Sequence, residues 1–187
     1  MTLNLLARLT AGAGLAMGLA SCQLGDQLDS RPNVGPCPVA AALYDASRLV
    51  EVNGAERHET VGFTGIVEGV QGFCRYVGPN PITMELEVDF ALGRGPAAEG
   101  DRRTYDYFVT VTRRDRTVLA KERFSFEARW KKGETEIRHR ETISGIVIPR
   151  ATETVSGTNF EVLVGFELTP EQLAFNRSGK RFTMNVQ

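Results

Sequence analysis

Three cysteines, Cys22, Cys37 and Cys74, carry the widest chemical repertoire in this 187-residue chain, since a thiol can attack, ligate a metal or cross-link. No two of them form a Cys-x-x-Cys motif, so their spacing points to neither a redox dithiol nor a zinc site. His58 and His139 lie far apart among charged residues, in "ERHET" and "IRHRE", without the i, i+4 spacing of a helical metal pair. Both read as solvated side chains. Glu85, Glu87 and Asp89 form a row of carboxylates at alternate positions. The acid–base pair of a glycosidase stands across a cleft, whereas these three share one strand face; arginines such as Arg113, Arg123 or Arg129 are expected to face them. No Gly-x-Ser-x-Gly elbow occurs, and "GRGPAAEG" lacks the Gly-Lys-Ser/Thr ending of a phosphate loop. Its Arg94, with Arg102 and Arg103 just beyond, offers a place for an anionic ligand at the rim of the domain. The sequence assigns no catalytic residue, no metal ligand and no cofactor.

Cys22 has a particular setting. It closes "GLAMGLASCQLGDQ", where an apolar run ends in small residues. Residues 5–20 are apolar or small except for Arg8 and Thr10, with positive charge at the front, which is the layout of a secretory signal peptide. The uninterrupted apolar part is far shorter than the roughly 20 residues a spanning helix needs. Leu19-Ala20-Ser21-Cys22 resembles the lipobox of bacterial lipoproteins, in which the peptide is cut before the cysteine and its thiol and new amino terminus are acylated. The resemblance makes 1–21 the signal peptide and Cys22 the lipid attachment site. Two or more acyl chains hold a protein stably on a bilayer. Gln23 follows, where an aspartate would favour the inner membrane, so the resemblance implies the outer membrane, facing the periplasm.

With Cys22 assigned to lipid, Cys37 and Cys74 remain, and an even remainder in an exported chain predicts a disulfide. The formal net charge of −1 gives no electrostatic case for nucleic-acid binding. Charge is uneven along the chain, with residues 101–150 carrying 13 basic and 8 acidic side chains, and residues 22–100 carrying 5 and 11. Acidic strands lying beside basic ones would account for this; a basic patch facing anionic lipid or glycan is the alternative.

The elements that must position these residues read as strands. Residues 22–36 are polar and rich in Gly and Pro, as in a flexible tether. In "ITMELEVDFAL", Met84, Leu86, Val88, Phe90 and Leu92 alternate with the carboxylates, giving one apolar and one acidic face. "YDYFVTV", "VLAKERFSFEARW" and "FEVLVGFEL" alternate in the same way, with a turn at "RRDR" and with Phe108 out of phase. "VGFTGIVEGV", "FCRYV" and "IRHRETISGIVI" are shorter candidates, and "CPVAAALYDASRLVEV" fits a strand pair or a short helix. Seven or eight strands without intervening helices predict an antiparallel, immunoglobulin-like β-sandwich over 37–177, with a closed antiparallel barrel as the alternative. "LTPEQLAFNRSG" predicts a short helix capped by Thr169, with Pro170 at its first position and Gln172 completing a capping box. It is expected to close an open end of the sandwich, with Leu173 packed inward, and residues 178–187 form an extension.

"CRY" after a glycine-rich strand, "RGPAA" in the mid-chain loop and "VLVGFELTPEQLAFNR" near the end together resemble a family of small proteobacterial envelope lipoproteins. The resemblance would span Cys37 to Arg177; it implies an address and carries over no activity. The expected function is that of a lipid-anchored, non-enzymatic interaction or assembly factor with an envelope protein partner. The alternative is a binding module for a small anionic ligand or glycan.

Overall fold

The computed structural model describes residues 36–76 and 81–180; the expected signal peptide, Cys22, the tether up to residue 35 and residues 181–187 of the extension lie outside the described residues. Eight strands form: β1 (Val39–Ala42), β2 (Arg48–Val52), β3 (Val61–Tyr76), β4 (Ile82–Arg94), β5 (Arg102–Arg113), β6 (Val118–Arg129), β7 (Glu136–Ile148) and β8 (Phe160–Phe166). One helix, α1 (Pro170–Arg177), follows. The strands make two four-stranded sheets, ordered β1-β8-β5-β6 and β2-β3-β4-β7. Neither sheet closes on itself, so the architecture is a β-sandwich and not a barrel. Every pairing is antiparallel except β1 on β8, which is parallel. The segment that fits either a strand pair or a helix resolves into β1 and β2, joined by a single 3-10 turn at Tyr44–Ala46 that carries the chain from one sheet to the other.

Strand β3 is continuous where the sequence suggests two pieces. Its inward set is Val61, Phe63, Gly65 and Val67 at odd positions, then Val70, Gly72 and Cys74 at even ones. A bulge between Val67 and Gly69 inserts one residue and shifts the phase, so a single strand reads as two.

The core lies between the sheets. Leu86, Val88, Phe90 and Leu92 of β4 are fully buried against Tyr105, Tyr107 and Val109 of β5 and Val162, Val164 and Phe166 of β8. Phe90 sits at the centre, its ring 5.3 Å from Tyr107, 5.1 Å from Phe126 and 5.5 Å from Phe166. Phe108, out of phase in sequence, points to the opposite face of its sheet. There it is buried under the Lys121 ammonium, 4.0 Å above the ring.

Helix α1 begins as its sequence predicts: Thr169 Oγ1 accepts from the Gln172 amide at 3.2 Å, and Gln172 Oε1 accepts from the Thr169 amide at 3.0 Å. Its location differs from the expectation. It packs along β2, the outer strand of its sheet, with Leu173 half-buried. Asn176 Nδ2 donates to the carbonyls of Asp45 and Arg48, both at 2.8 Å, and Gln172 Nε2 donates to that of Val50. The carbonyls of Arg48 and Val50 are outward ones that an edge strand leaves without a ladder partner, and that of Asp45 belongs to the 3-10 turn before it.

The entrance of the chain is clamped at one end of the sandwich. Cys37 and Cys74 form a disulfide with Cα atoms 5.7 Å apart, joining the segment before β1 to β3 in the other sheet. Beside it, Tyr76 Oη donates to the Pro36 carbonyl at 2.7 Å and accepts from the Gly157 amide at 2.8 Å. A Cβ on Gly157 would lie 2.2 Å from that carbonyl, so only glycine fits. Arg150 lies over the Tyr76 ring and donates to the carbonyls of Glu153 and Val155.

Replacing Cys37 and Cys74 together with alanine should lower the unfolding free energy by about 4 kcal/mol, the chain-entropy value for a loop of this length. Equilibrium urea denaturation measures it, and a loss below about 1 kcal/mol would show that the clamp does not depend on the covalent link. Asn176→Ala leaves two part-buried carbonyls, of Asp45 and Arg48, without their donor and should cost about 1–2 kcal/mol in the same measurement.

Candidate functional site

A groove of about 310 Å³ lies on the outer face of the β2-β3-β4-β7 sheet, at the end away from the disulfide. Two cross-strand rows build its floor. One runs Arg48, Ile66, Ala91, with Arg138 next in register just outside the groove, and the other runs Val50, Thr64, Gly93, Glu136. Ala91 and Gly93 occupy positions on β4 where the strand carried Glu85, Glu87 and Asp89 further along, so the surface dips where side chains shorten. Phe175 and Asn176 of α1 and Lys180 beyond it line one side, and His58 lines another from the segment between β2 and β3. Glu68 lines the groove and is held by Arg138, whose Nε donates to Glu68 Oε2 at 3.0 Å. Lys180 is paired with Glu56. Arg48 makes no ion pair among the described residues. The lining is mainly apolar, with charge at its margins.

Of the three arginines that the sequence offers as an anion site, only Arg94 lines this groove. Its Nε donates to the Gly100 carbonyl at 2.8 Å, which folds the 95–100 loop back on the strand end. Arg103 is turned to Glu51 of β2, with Nη2 3.0 Å from Oε1, while the other carboxylate oxygen of Glu51 accepts from the Phe63 amide. Arg102 is exposed near Asp101 and Glu127, at 3.9 and 4.0 Å.

The carboxylate row finds different partners from those expected. Arg140 Nε and Nη2 donate to Asp89 at 2.6 and 3.0 Å, and Nη1 lies 3.6 Å from Glu87. Glu85 accepts from the Ser144 hydroxyl at 2.6 Å. The partners come from β7 because β7 lies against β4, with Asp89 directly opposite Arg140. Arg123 instead serves Glu167, and Arg129 approaches Glu127. An acidic strand beside a basic one thus absorbs part of the charge asymmetry of the sequence.

His139, expected as a solvated side chain, is only half-exposed. It stands opposite Phe90, faces between the sheets, and stacks on Phe126 with ring centroids 4.1 Å apart and planes at 18°. Its Nε2 hydrogen-bonds Glu141, whose other oxygen accepts from Tyr107 Oη at 3.4 Å. Burial, reinforced by Glu141, pushes the Tyr107 phenol well above its ordinary range. His58, by contrast, is exposed. Among the described residues no three His, Cys, Asp or Glu side chains gather as a metal site would require.

The groove escaped sequence reading because its floor is carried by residues that look incidental. The usable signal is the placement of Val50, Ile66 and Ala91 in the outward phase of their strands, where polar residues are the norm. No family model, curated protein or solved structure matches the chain.

The Arg140 guanidinium, hydrogen-bonded to Asp89, holds that carboxyl below its ordinary value of 3.8 against a smaller opposing effect of burial. A lowered folded-state value means that the pair favours the folded state above about pH 4 and loses its effect as pH falls through the Asp89 midpoint. Carboxyl NMR should place that midpoint below 3.8, and Arg140→Gln should return it toward 3.8. A midpoint that ignores the substitution would show that the geometry on the surface does not persist in solution.

Proposed function

We propose that this chain is an exported lipoprotein, held through Cys22 in the outer membrane and facing the periplasm, whose sandwich works by recognition of an envelope protein. The observation that carries the reading is the Cys37–Cys74 disulfide. It uses two of the three cysteines in a form that belongs to an oxidising compartment, and it leaves Cys22 as the odd thiol in the setting of a lipobox. The groove supports recognition of a protein segment. An apolar floor rimmed by charged groups suits a partner that buries one or two apolar side chains and meets Arg48, Glu136 and Lys180 at the margin.

The second reading, a small anionic ligand or glycan, draws on Arg94 and Arg48 at the same groove. Its weight is reduced by the placement of Arg103 on Glu51 and of Arg102 away from the lining.

Two measurements test the proposal. The mature protein from cells should carry the mass of an acylated Cys22 and fractionate with the outer membrane, and Cys22→Ala should abolish both. A photo-crosslinking residue placed at Ile66 should give one protein adduct of discrete mass in intact cells, while the same residue at the exposed Thr104 on the other sheet should give none. A small-molecule adduct at Ile66 would favour the second reading, and no adduct there would overturn both.

A further inference from the structure

Strand register places a distinct set of side chains at the end of the sandwich where the chain enters. Pro36 is fixed there by Tyr76 and Gly157. Two residues after Gly157, the Asn159 carbonyl accepts from the Arg114 amide at 3.1 Å, so the turn between β5 and β6 is built onto the same corner. That turn is "RRDR". The Arg113 amide donates to the Thr117 carbonyl, the Arg116 amide donates to the Arg113 carbonyl, and Arg116 holds a left-handed φ of 70°. Its single acid, Asp115, is engaged by the Thr117 amide at 2.9 Å, which holds the carboxyl below its ordinary range. Arg113, Arg114 and Arg116 are exposed and make no ion pair within 4.0 Å among the described residues, although Arg113 lies near enough to Asp115 to help hold its carboxyl down. On the sheet faces the pattern is different, with Arg103, Arg123, Arg138 and Arg140 each held by a carboxylate at 3.0 Å or closer.

Exposed apolar side chains surround the same end. One rung in from the tip, the β1-β8-β5-β6 sheet reads Val39, Glu161, Thr112, Val118, and the other sheet reads Arg75, Thr83, Val147. Val39, Val118 and Val147 are 50%, 59% and 56% exposed, three of the seven large apolar side chains exposed among the described residues. Exposed arginines at a tip with valines on the sheet faces just behind them make the composition of a surface that seats against lipid headgroups: the cations meet the phosphates first, and the short apolar side chains reach the headgroup layer as the tip settles into it.

The geometry points to this end, the Arg113–Arg116 turn with Val39, Val118 and Val147, as a bilayer-docking surface that recognises the phosphate headgroups of an anionic membrane. The assignment rests on the reading of Cys22 as the lipid anchor. Residues 23–36, read from their composition as a tether, would span about 20 Å on average if they behave as a flexible chain, while a strand of 13 residues such as β4 or β7 is roughly 43 Å long. The tip that carries Pro36 is therefore held within easy reach of the membrane, and the groove end is held away from it. Docking by this tip fixes the groove pointing outward from the lipid, toward a periplasmic partner.

The test uses the protein as cells make it, carrying Val118→Trp, on vesicles whose lipids bear bromine in the upper acyl chain. The native Trp130, buried at the far end of the sandwich, supplies an internal control. On vesicles containing phosphatidylglycerol, the tryptophan at 118 should be quenched and Trp130 should not. The quenching should disappear at high salt and in the Arg113→Gln, Arg114→Gln, Arg116→Gln variant. Flotation on neutral phosphatidylcholine vesicles reads the anchor separately and should survive those three changes. Flotation without quenching on anionic vesicles would overturn the docking surface and leave the anchor standing. Quenching on anionic vesicles without flotation on neutral ones would remove the anchor and keep the surface. If millimolar inorganic phosphate alone displaced the tryptophan at 118 from anionic vesicles, the turn would be a soluble-anion site and the membrane assignment would fall.

Discussion

Strict alternation along β4 is the constraint from which most of this molecule follows. A strand between two neighbours, with one face on the core, must send successive side chains in opposite directions. Burying Leu86, Val88, Phe90 and Leu92 therefore forces Glu85, Glu87, Asp89, Ala91 and Gly93 onto the opposite surface. Three of those five, Glu85, Glu87 and Asp89, are charged and draw Arg140 and Ser144 from β7. The other two, Ala91 and Gly93, are short, and where the row shortens the groove opens. Core and candidate site are thus two sides of the same periodicity, and a slip of one residue would destroy both together.

The same periodicity explains what could be read in advance. β4, β5 and β8 keep their phase along their length, and β6 does so from Ala120 onward, past a register shift that leaves Val118 facing out; the apolar residues in that phase supply most of the core. β3 changes phase at its bulge, which no alternation pattern can signal, so its continuity becomes visible only in the register with β4. The disulfide was legible by counting cysteines, and the cap of α1 by Thr169, Pro170 and Gln172. The partners of charged residues were not, because they depend on which strands become neighbours. Asp89 and Arg140 are 51 positions apart and meet only because β7 joins the sheet beside β4. His139 shows the same limit: its charged sequence neighbours suggest solvent, yet its strand parity turns it toward Phe126.

The exposed margins of the sheets are handled by different means. β2 is covered by α1, whose amide side chains take up the free carbonyls. β7 points His139 and Glu141 inward near its open side, and β6 carries Lys121, Glu122 and Arg123 in succession, which discourages another strand from adding there. The short parallel pairing of β1 with β8 extends over only four residues. With the edges closed in these ways, the face of the sheet and the tips of the loops are the surfaces left for recognition.

The clamp around Cys37 has a mechanical consequence. Any pull on the residues before Pro36 enters the domain at one corner. The first strand that such a load meets, β1, is held to its neighbour by a four-residue ladder that would unzip readily. The load does not have to pass through it. Cys37 precedes β1 and is bonded covalently to Cys74 in β3, the longest strand of the opposite sheet, so the force is diverted sideways into the middle of the structure before it reaches the weak ladder. The domain is built to be dragged by its first residues without being peeled open.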